Sequence, residues 1–415
     1  MPRSALTFLG LAVGVVSLAS VGCKKSPTPA WAERQPESAP ANAAKAPSPD
    51  EVKAASIEVD PGAITRDNIE ALGKAAEYSP EVEATLVAAL SHEDENIRSQ
   101  ACWSLGRLGT HSKPHIPELI TALGDDAWVV RHNASWALRN IREGVGPHAV
   151  KALDHENPWT RLEAARVLAE VDPSRHDAAI EVFVQGLGNA DEKVRVVSVQ
   201  GLMAVGAGAE PALPSLRKAL GDENEAVRKN AITVMGLIGA PAEVAIPEII
   251  AAIDDEKRSV RVEAINVLGT FGERALPAKS AMLSGLGDKD KHVANAAAST
   301  IGKLGPGVLP ELAQACLEKK EAKLRMAAID AVAFSPHIDE GTVDALRKQL
   351  EHEAWETRMR AAVALGRDDE VTHRAVPDLI AALKDPNETV RVNVTNALRA
   401  IGTPQALSAL PKETG

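Results

Sequence analysis

Three His-Glu dipeptides are the first candidates for chemistry: His92-Glu93, His155-Glu156 and His352-Glu353 each set an imidazole beside a carboxylate, the donor types that zinc and iron accept. Two thiols, Cys102 and Cys316, could act as ligands or nucleophiles, and Cys23 closes an uncharged apolar run near the N-terminus. Spacing argues against a shared centre. The dipeptides fall in the first, third and ninth units of the repeat described below, where neighbouring helices are about 8 to 10 Å apart, so they cannot converge on one ion. The thiols lie about seven repeats apart, beyond disulfide reach, and read as small core residues. No Cys-x-x-Cys-His, Gly-x-Ser-x-Gly, phosphate loop or His-Glu-x-x-His occurs, so no nucleophile with its base can be assembled. The expectation is no catalytic residue, no metal and no cofactor. What remains is binding chemistry: Trp103 and Trp136 stand among Arg107, His132, Asn133, Asn140 and Arg166, large rings beside hydrogen-bonding groups, as in protein interfaces.

The element that positions these residues is a repeat. The stretch LKDPNETVRVNVTNAL, from Leu383 to Leu398, recurs upstream, its Arg reappearing as Arg358, Arg325, Arg261, Arg228, Arg195, Arg161, Arg131 and Arg98, with Ala294 in the one gap. Most intervals are 33 residues and the others 30, 31 or 34, the period of a two-helix unit, and there are ten copies. With the Arg as zero, position −1 is usually Val, +3 is Ala in eight of ten copies and +7 is always Leu, Ile, Met or Val. These share one helical face, so this helix B packs closely through small and aliphatic side chains. Asp94, Asn157, Asp191, Asn224, Asp290 and Asn387 stand at −4, where a short acceptor caps the first turn. Before each helix B comes a second apolar run, such as 116–123, 245–253 and 375–383, read as helix A. Pro117, Pro147, Pro214, Pro247 and Pro377, fourteen residues before the Arg, start or kink it.

This kinked helix A, the D-x-x-x-x-V-R turn and the A-x-x-x-L-G helix B resemble HEAT repeats, specifically the HEAT-like type of phycobilisome (bilin) lyases. The resemblance implies an all-α, right-handed α-solenoid of about ten two-helix repeats, with helix B lining the concave side. It also implies that the turn Asp and the Arg bond between neighbouring repeats, which fits Asp125, Asp222, Asp255, Asp288 and Asp385. Deoxyhypusine hydroxylase, a HEAT-like di-iron enzyme, places its His-Glu pairs after the Arg position on helix B. Here all three lie at −6, in the turn, and the only His in the enzyme's register, His132, is followed by Asn133. On helix B the concave face carries Trp103 and Trp136 at +5 in adjacent repeats, which the register sets about 10 Å apart, as a step and not a stack. They are either anchors for a partner or fillers of the groove. Trp128, Trp159 and Trp355 precede helix B and are expected to cover the repeat edge.

A composition of 45% apolar but only 3% aromatic residues suits a stack of small cores, and a net charge of −11 argues against a nucleic-acid groove. Residues 1–23 read as an export signal whose end, Ser20-Val21-Gly22-Cys23, resembles the lipobox of bacterial lipoproteins, although Ser20 replaces the preferred Leu. Lipidated Cys23 would then tie the chain to a membrane of the bacterial cell envelope; an uncleaved N-terminal anchor is the alternative. Residues 24–60 form a Pro/Ala-rich tether, 61–90 a degenerate capping repeat with the first helix A, 80–402 the repeat domain, and 403–415 a half-cap and tail. The function expected is a non-catalytic, membrane-tethered scaffold binding a protein or peptide on the concave face. A bilin-lyase-like or hydroxylase-like enzyme, or its accessory subunit, is the alternative, and a plain structural spacer is a third reading.

Overall fold

Short acceptors at −4 decide where the long helices begin. Asp94, Asn157, Asp191, Asn224, Asp290 and Asn387 each accept a hydrogen bond from the backbone N–H two residues on, at 2.8–2.9 Å. That satisfies a donor the helix cannot pair internally, worth about 1 kcal/mol per cap. The structure, a computed structural model, describes residues 79–317 and 321–410 together with Ile64, Thr65, Asn68, Ile69 and Leu72. Cys23, the Pro/Ala-rich tether and most of the expected cap lie outside the described residues. The chain divides into two units, Met1–Glu58 and Val59–Gly415, and the structural description concerns the second.

In chain order its helices are α1 (Pro80–Ala89), α2 (Glu95–Leu108), α3 (Ile116–Ala122), α4 (Trp128–Ile141), α5 (Val145–Ala152), α6 (Pro158–Val171), α7 (His176–Leu187), α8 (Glu192–Val205), α9 (Leu213–Ala219) and α10 (Glu225–Ile238). They continue as α11 (Ile246–Ala251), α12 (Arg258–Phe271), α13 (Lys279–Leu286), α14 (Lys291–Thr300), α15 (Leu309–Cys316), α16 (Ala322–Phe334), α17 (Glu340–Gln349), α18 (Trp355–Leu365), α19 (Val376–Ala382), α20 (Glu388–Ile401) and α21 (Pro404–Ser408). Odd numbers are A helices and even numbers B helices, and among the described residues there is no strand. The fold is an all-helical solenoid in which each B helix packs on its own A helix and on the next B helix.

Helix A is shorter than its apolar run. Pro117, Pro214, Pro247 and Pro377 sit in the first two positions of α3, α9, α11 and α19, each preceded by a 3₁₀ segment such as Gly109–His115. Proline therefore starts the α-helix, because its missing N–H would break a longer one. The window Glu192–Ala219 is apolar and long enough to suggest a membrane span. It is α8 and α9 joined through the 3₁₀ segment Gly206–Ala212, entered at Gly206 with φ +66°. After the last B helix, Thr403 caps α21 by accepting from Ala406 N–H at 3.2 Å.

The core is the +3/+7 stripe repeated: Ala101, Leu105, Ala134, Leu138, Ala164 and Leu168 are fully buried, and so on to Val394 and Leu398. Each buried Leu contributes roughly 1.5–3 kcal/mol against leaving it in water. Between repeats runs a ladder of ion pairs. Arg98, Arg195, Arg228, Arg261 and Arg358 each fork onto the turn Asp of the next repeat, Asp125, Asp222, Asp255, Asp288 and Asp385 respectively, with Nε to Oδ2 distances of 2.6–3.1 Å. The Nη1 of each also donates to two carbonyls of its own turn, as Arg228 does to Asp222 and Glu223 at 2.8 and 3.1 Å. Where the next turn carries His155 in place of Asp, Arg131 has no carboxylate to meet and its guanidinium lies 4.4 Å from the centre of the Trp159 ring.

B helices usually end at a glycine with positive φ at +11: Gly109, Gly206, Gly239, Gly272, Gly305 and Gly402. In the second repeat that position is Arg142, at φ 57° and ψ −58°, the one non-glycine residue with positive φ among those described. Glu143 N–H donates to Ile141 O across it at 2.6 Å, which makes a tight γ-turn. Such a conformation costs on the order of 1–3 kcal/mol in an L-residue. Against that stands the bond from Arg142 Nη2 to Glu170 O at 3.2 Å, worth about 1 kcal/mol. Arg142→Gly should therefore raise the urea midpoint, by a net gain of about 1 kcal/mol. A lower midpoint would show that the bridge to Glu170 outweighs the strain.

Candidate functional site

The three His-Glu dipeptides are turn elements. His92, His155 and His352 each use Nδ1 to accept the backbone N–H two residues later, at 3.0, 3.1 and 3.0 Å, the task that Asp performs at the same position in other repeats. Among the described residues no group of three or more His, Cys, Asp or Glu side chains is placed to hold a metal ion. Burial pushes the thiols of Cys102 and Cys316 up to about 12, so they stay protonated at neutral pH, when only the thiolate is a good ligand or nucleophile.

On the B-helix face the structure brings together part of the expected cluster. Trp103 on α2 and Trp136 on α4 are stacked, their ring centres 6.4 Å apart and their planes 14° from parallel. This corrects the expected step of about 10 Å: α2 and α4 approach closely at Gly106 and Ala137, and the indoles meet beside that approach. Gly106 permits this, because a Cβ there would stand 2.7 Å from Trp136 Cζ3 and 2.7 Å from Ala137 Cα. Trp136 is half-buried and packs against the core. Arg107, exposed in the last turn of α2, completes the row with its guanidinium 5.1 Å from the centre of the Trp103 ring. A guanidinium over an indole at this distance is attracted by the ring's electron density, by about 0.5–1 kcal/mol at an exposed site.

The other expected residues are engaged differently. Asn133 Nδ2 donates to Ser99 Oγ at 2.8 Å, a strut between α4 and α2. Arg166 is held by Glu163 on its own helix, at 3.1 and 3.2 Å. His132 lies 6.0 Å from the exposed Trp128 ring, and burial together with Arg139 and Arg166 holds its imidazole below the ordinary 6.5, against the pull of Glu163. Asn140 is exposed one repeat on from Arg107, at the same +9 level. Arg139 and its partner Glu170, at 2.7 Å, were not foreseen, since their pairing depends on which way two long side chains turn between α4 and α6. Of the turn tryptophans, Trp159 covers the edge beneath Arg131, whereas Trp128 is 65% exposed and covers little.

Together these residues form a fixed aromatic and cationic surface on neighbouring B helices.

Comparison with known proteins supports the fold. The family model described as HEAT repeats matches residues 62–139, 180–247, 246–333 and 343–412. Of the stretches left unmatched, 140–179 holds the Arg142 turn and most of the shortest interval between repeats, Arg131 to Arg161. Among curated proteins, none matches the sequence. Solved structures similar to the chain include importin beta, at a TM-score of 0.60 and 16% identity over 81% of this chain and 53% of that one. They also include the karyopherin Kap121p bound to the extreme C-terminus of the protein phosphatase Cdc14p, and Kap121p bound to Nup53p. These have TM-scores of 0.54 and 0.53, each at 15% identity over 81% of this chain and 42% of that one. The chain thus spans about half the length of the structures it resembles.

Proposed function

The chain belongs to the HEAT-repeat family, and from that premise we propose that it is a non-catalytic scaffold that holds a protein or peptide against the concave face lined by its B helices, tied to a bacterial envelope membrane by lipid on Cys23. The observation that carries the binding reading is the row Arg107, Trp103, Trp136. Tryptophan and arginine are the side chains whose removal most often costs an interface 2 kcal/mol or more. A solenoid presents a long face to an extended partner, and two of the similar structures are described as bound to a protein or its terminus.

Photo-crosslinking in intact cells tests this. A photoreactive residue in place of the exposed Asn140 on α4 should trap a protein partner, whereas one in place of the exposed Glu118 on the A helix α3 should not. Equal labelling from both positions, or none from Asn140, would defeat the concave-face assignment.

The tether has its own test. Cys23→Ser should move the protein from the membrane fraction to the soluble fraction, or leave it as an uncleaved precursor. Mass spectrometry of the wild-type N-terminus should find acylated Cys23. An intact segment from Met1 to Gly22 would instead favour the uncleaved anchor.

A further inference from the structure

Arg107 is the odd arginine on the B-helix face. Around it, Arg139 is paired with Glu170 and Arg166 with Glu163, and Arg142 donates to the Glu170 carbonyl. Arg107 makes no hydrogen bond or ion pair with a described residue; its contact is the Trp103 ring. That ring is stacked on Trp136, and Trp136 is seated on Gly106 against the core, so the guanidinium rests on a platform fixed to the backbone. Stacking uses the flat face of a guanidinium and leaves its N–H groups, which lie in the plane, for an acceptor.

We propose that this platform is a receptor for an acidic side chain, and that the face of the first three repeats takes a partner segment in which Asp or Glu stands beside an apolar residue. This rests on the concave-face reading above. Charge favours it. The chain as a whole carries −11, yet between two and eleven residues past Arg98, Arg131 and Arg161, along α2, α4 and α6 to the residue that ends each, stand Arg107, Arg139, Arg142 and Arg166 against Glu163, Glu170 and Asp172. Asp172 is paired with Arg175, and Glu143, which follows Arg142, with Lys113. This face is therefore net positive on a molecule whose overall charge is negative. Burial disfavours protonation of His132 first, and Arg139 and Arg166 add to it. The indoles already contact one another and Arg107, which favours an acceptor at the guanidinium over a ligand ring slipped between them. A planar fork meets a carboxylate through two parallel N–H bonds. Asn140, at the level of Arg107 on the next helix, is placed to meet the backbone of the same segment.

The test uses the full chain and three series of synthetic twelve-residue peptides that differ only in whether the residue flanked by Leu is Glu, Gln or Lys, with binding read by peptide anisotropy and by tryptophan fluorescence. The Glu series should bind about tenfold or more tighter than the Gln series, the gain expected of a charge-assisted pair. Arg107→Gln should erase that preference, so that the Glu and Gln series bind the variant with equal affinity. Arg107→Lys should keep only part of it, because the charge remains and the fork is lost. Equal affinity for Glu and Gln series in the unaltered protein, or a preference that survives Arg107→Gln, overturns the acidic-receptor assignment and leaves the concave-face reading standing. Failure of all three series overturns it too, and the cross-link from position 140 then decides whether the broader reading falls with it.

Discussion

Arg228→Met is expected to lower the unfolding free energy by about 3–5 kcal/mol, the cost of stripping one partner from a buried ion pair. Arg228 and Asp255 are almost covered, with side chains 9% and 12% exposed, and their fork closes at 2.7 and 2.9 Å. Removing the guanidinium leaves the Asp255 carboxylate without its cation and frees the Asp222 and Glu223 carbonyls, which Arg228 Nη1 also serves. Asp255→Asn should cost less, because an amide oxygen can still cap the Lys257 N–H that Asp255 holds at 2.8 Å. The double variant should fall short of the sum, since each change alone strands the other group. Arg131→Met is the control: with Trp159 in place of a carboxylate it should cost less than half as much. Urea unfolding followed by circular dichroism measures all four. In a stack whose repeats touch only their neighbours, the broken rung should also split one transition into two. A midpoint for Arg228→Met within 1 kcal/mol of the unaltered protein, on the usual conversion by the slope, would show that the ladder orders the turns without holding the repeats.

The same ladder sets the response to acid. Burial alone would raise Asp125, Asp222 and Asp255, but the arginine fork, the capped backbone N–H and the nearby positive charge outweigh it, and each ends below the ordinary 3.8. Asp385 is lowered first of all by its bonds to Arg358. A carboxylate depressed in the folded state contributes stability that is complete above its unfolded value, near 3.9, and is lost as pH falls through the folded value. Stability should therefore hold level down to about pH 4 and fall below it.

Much of this architecture was readable because it is local and repeated. An N-cap at −4 acts on a backbone N–H two residues away, so type and position suffice to foresee it, and all six expected caps are made. The pairing of Arg and Asp between neighbouring repeats was implied by the resemblance to HEAT-like repeats, and the register of the two residues fits it. The site was less so. That Trp103 and Trp136 stack depends on side-chain torsions and on the missing Cβ of Gly106, and neither follows from register alone. Arg166 and Asn133 looked like free surface groups because their partners, Glu163 and Ser99, stand at positions that the repeat does not constrain. Arg142 was missed for a similar reason: the repeat marks +11 as a glycine position, but only the backbone shows that the chain keeps positive φ there when glycine is absent.

Trp136→Ala and Trp103→Ala should separate stability from recognition, although the two rings touch. Trp136 is packed against the core and over Gly106, and its removal leaves a void between α2 and α4. Truncating a fully buried Trp costs about 3–5 kcal/mol, and a half-buried one should cost about 2–3. Trp103 stacks on Trp136 and carries Arg107, so its loss costs the aromatic pair, on the order of 1 kcal/mol, and leaves the platform without its upper layer. In thermal melts Trp136→Ala should therefore unfold clearly earlier, while Trp103→Ala should unfold close to the unaltered protein. Partner capture should rank them the other way at a temperature where both are folded. Trp103→Ala frees the Arg107 guanidinium to wander and should weaken binding about thirtyfold, the equivalent of roughly 2 kcal/mol. Trp136→Ala leaves Trp103 and Arg107 in contact and should weaken it less. If Trp103→Ala melts early and binds normally, the pair is a packing device and the recognition surface must be sought elsewhere on the B helices.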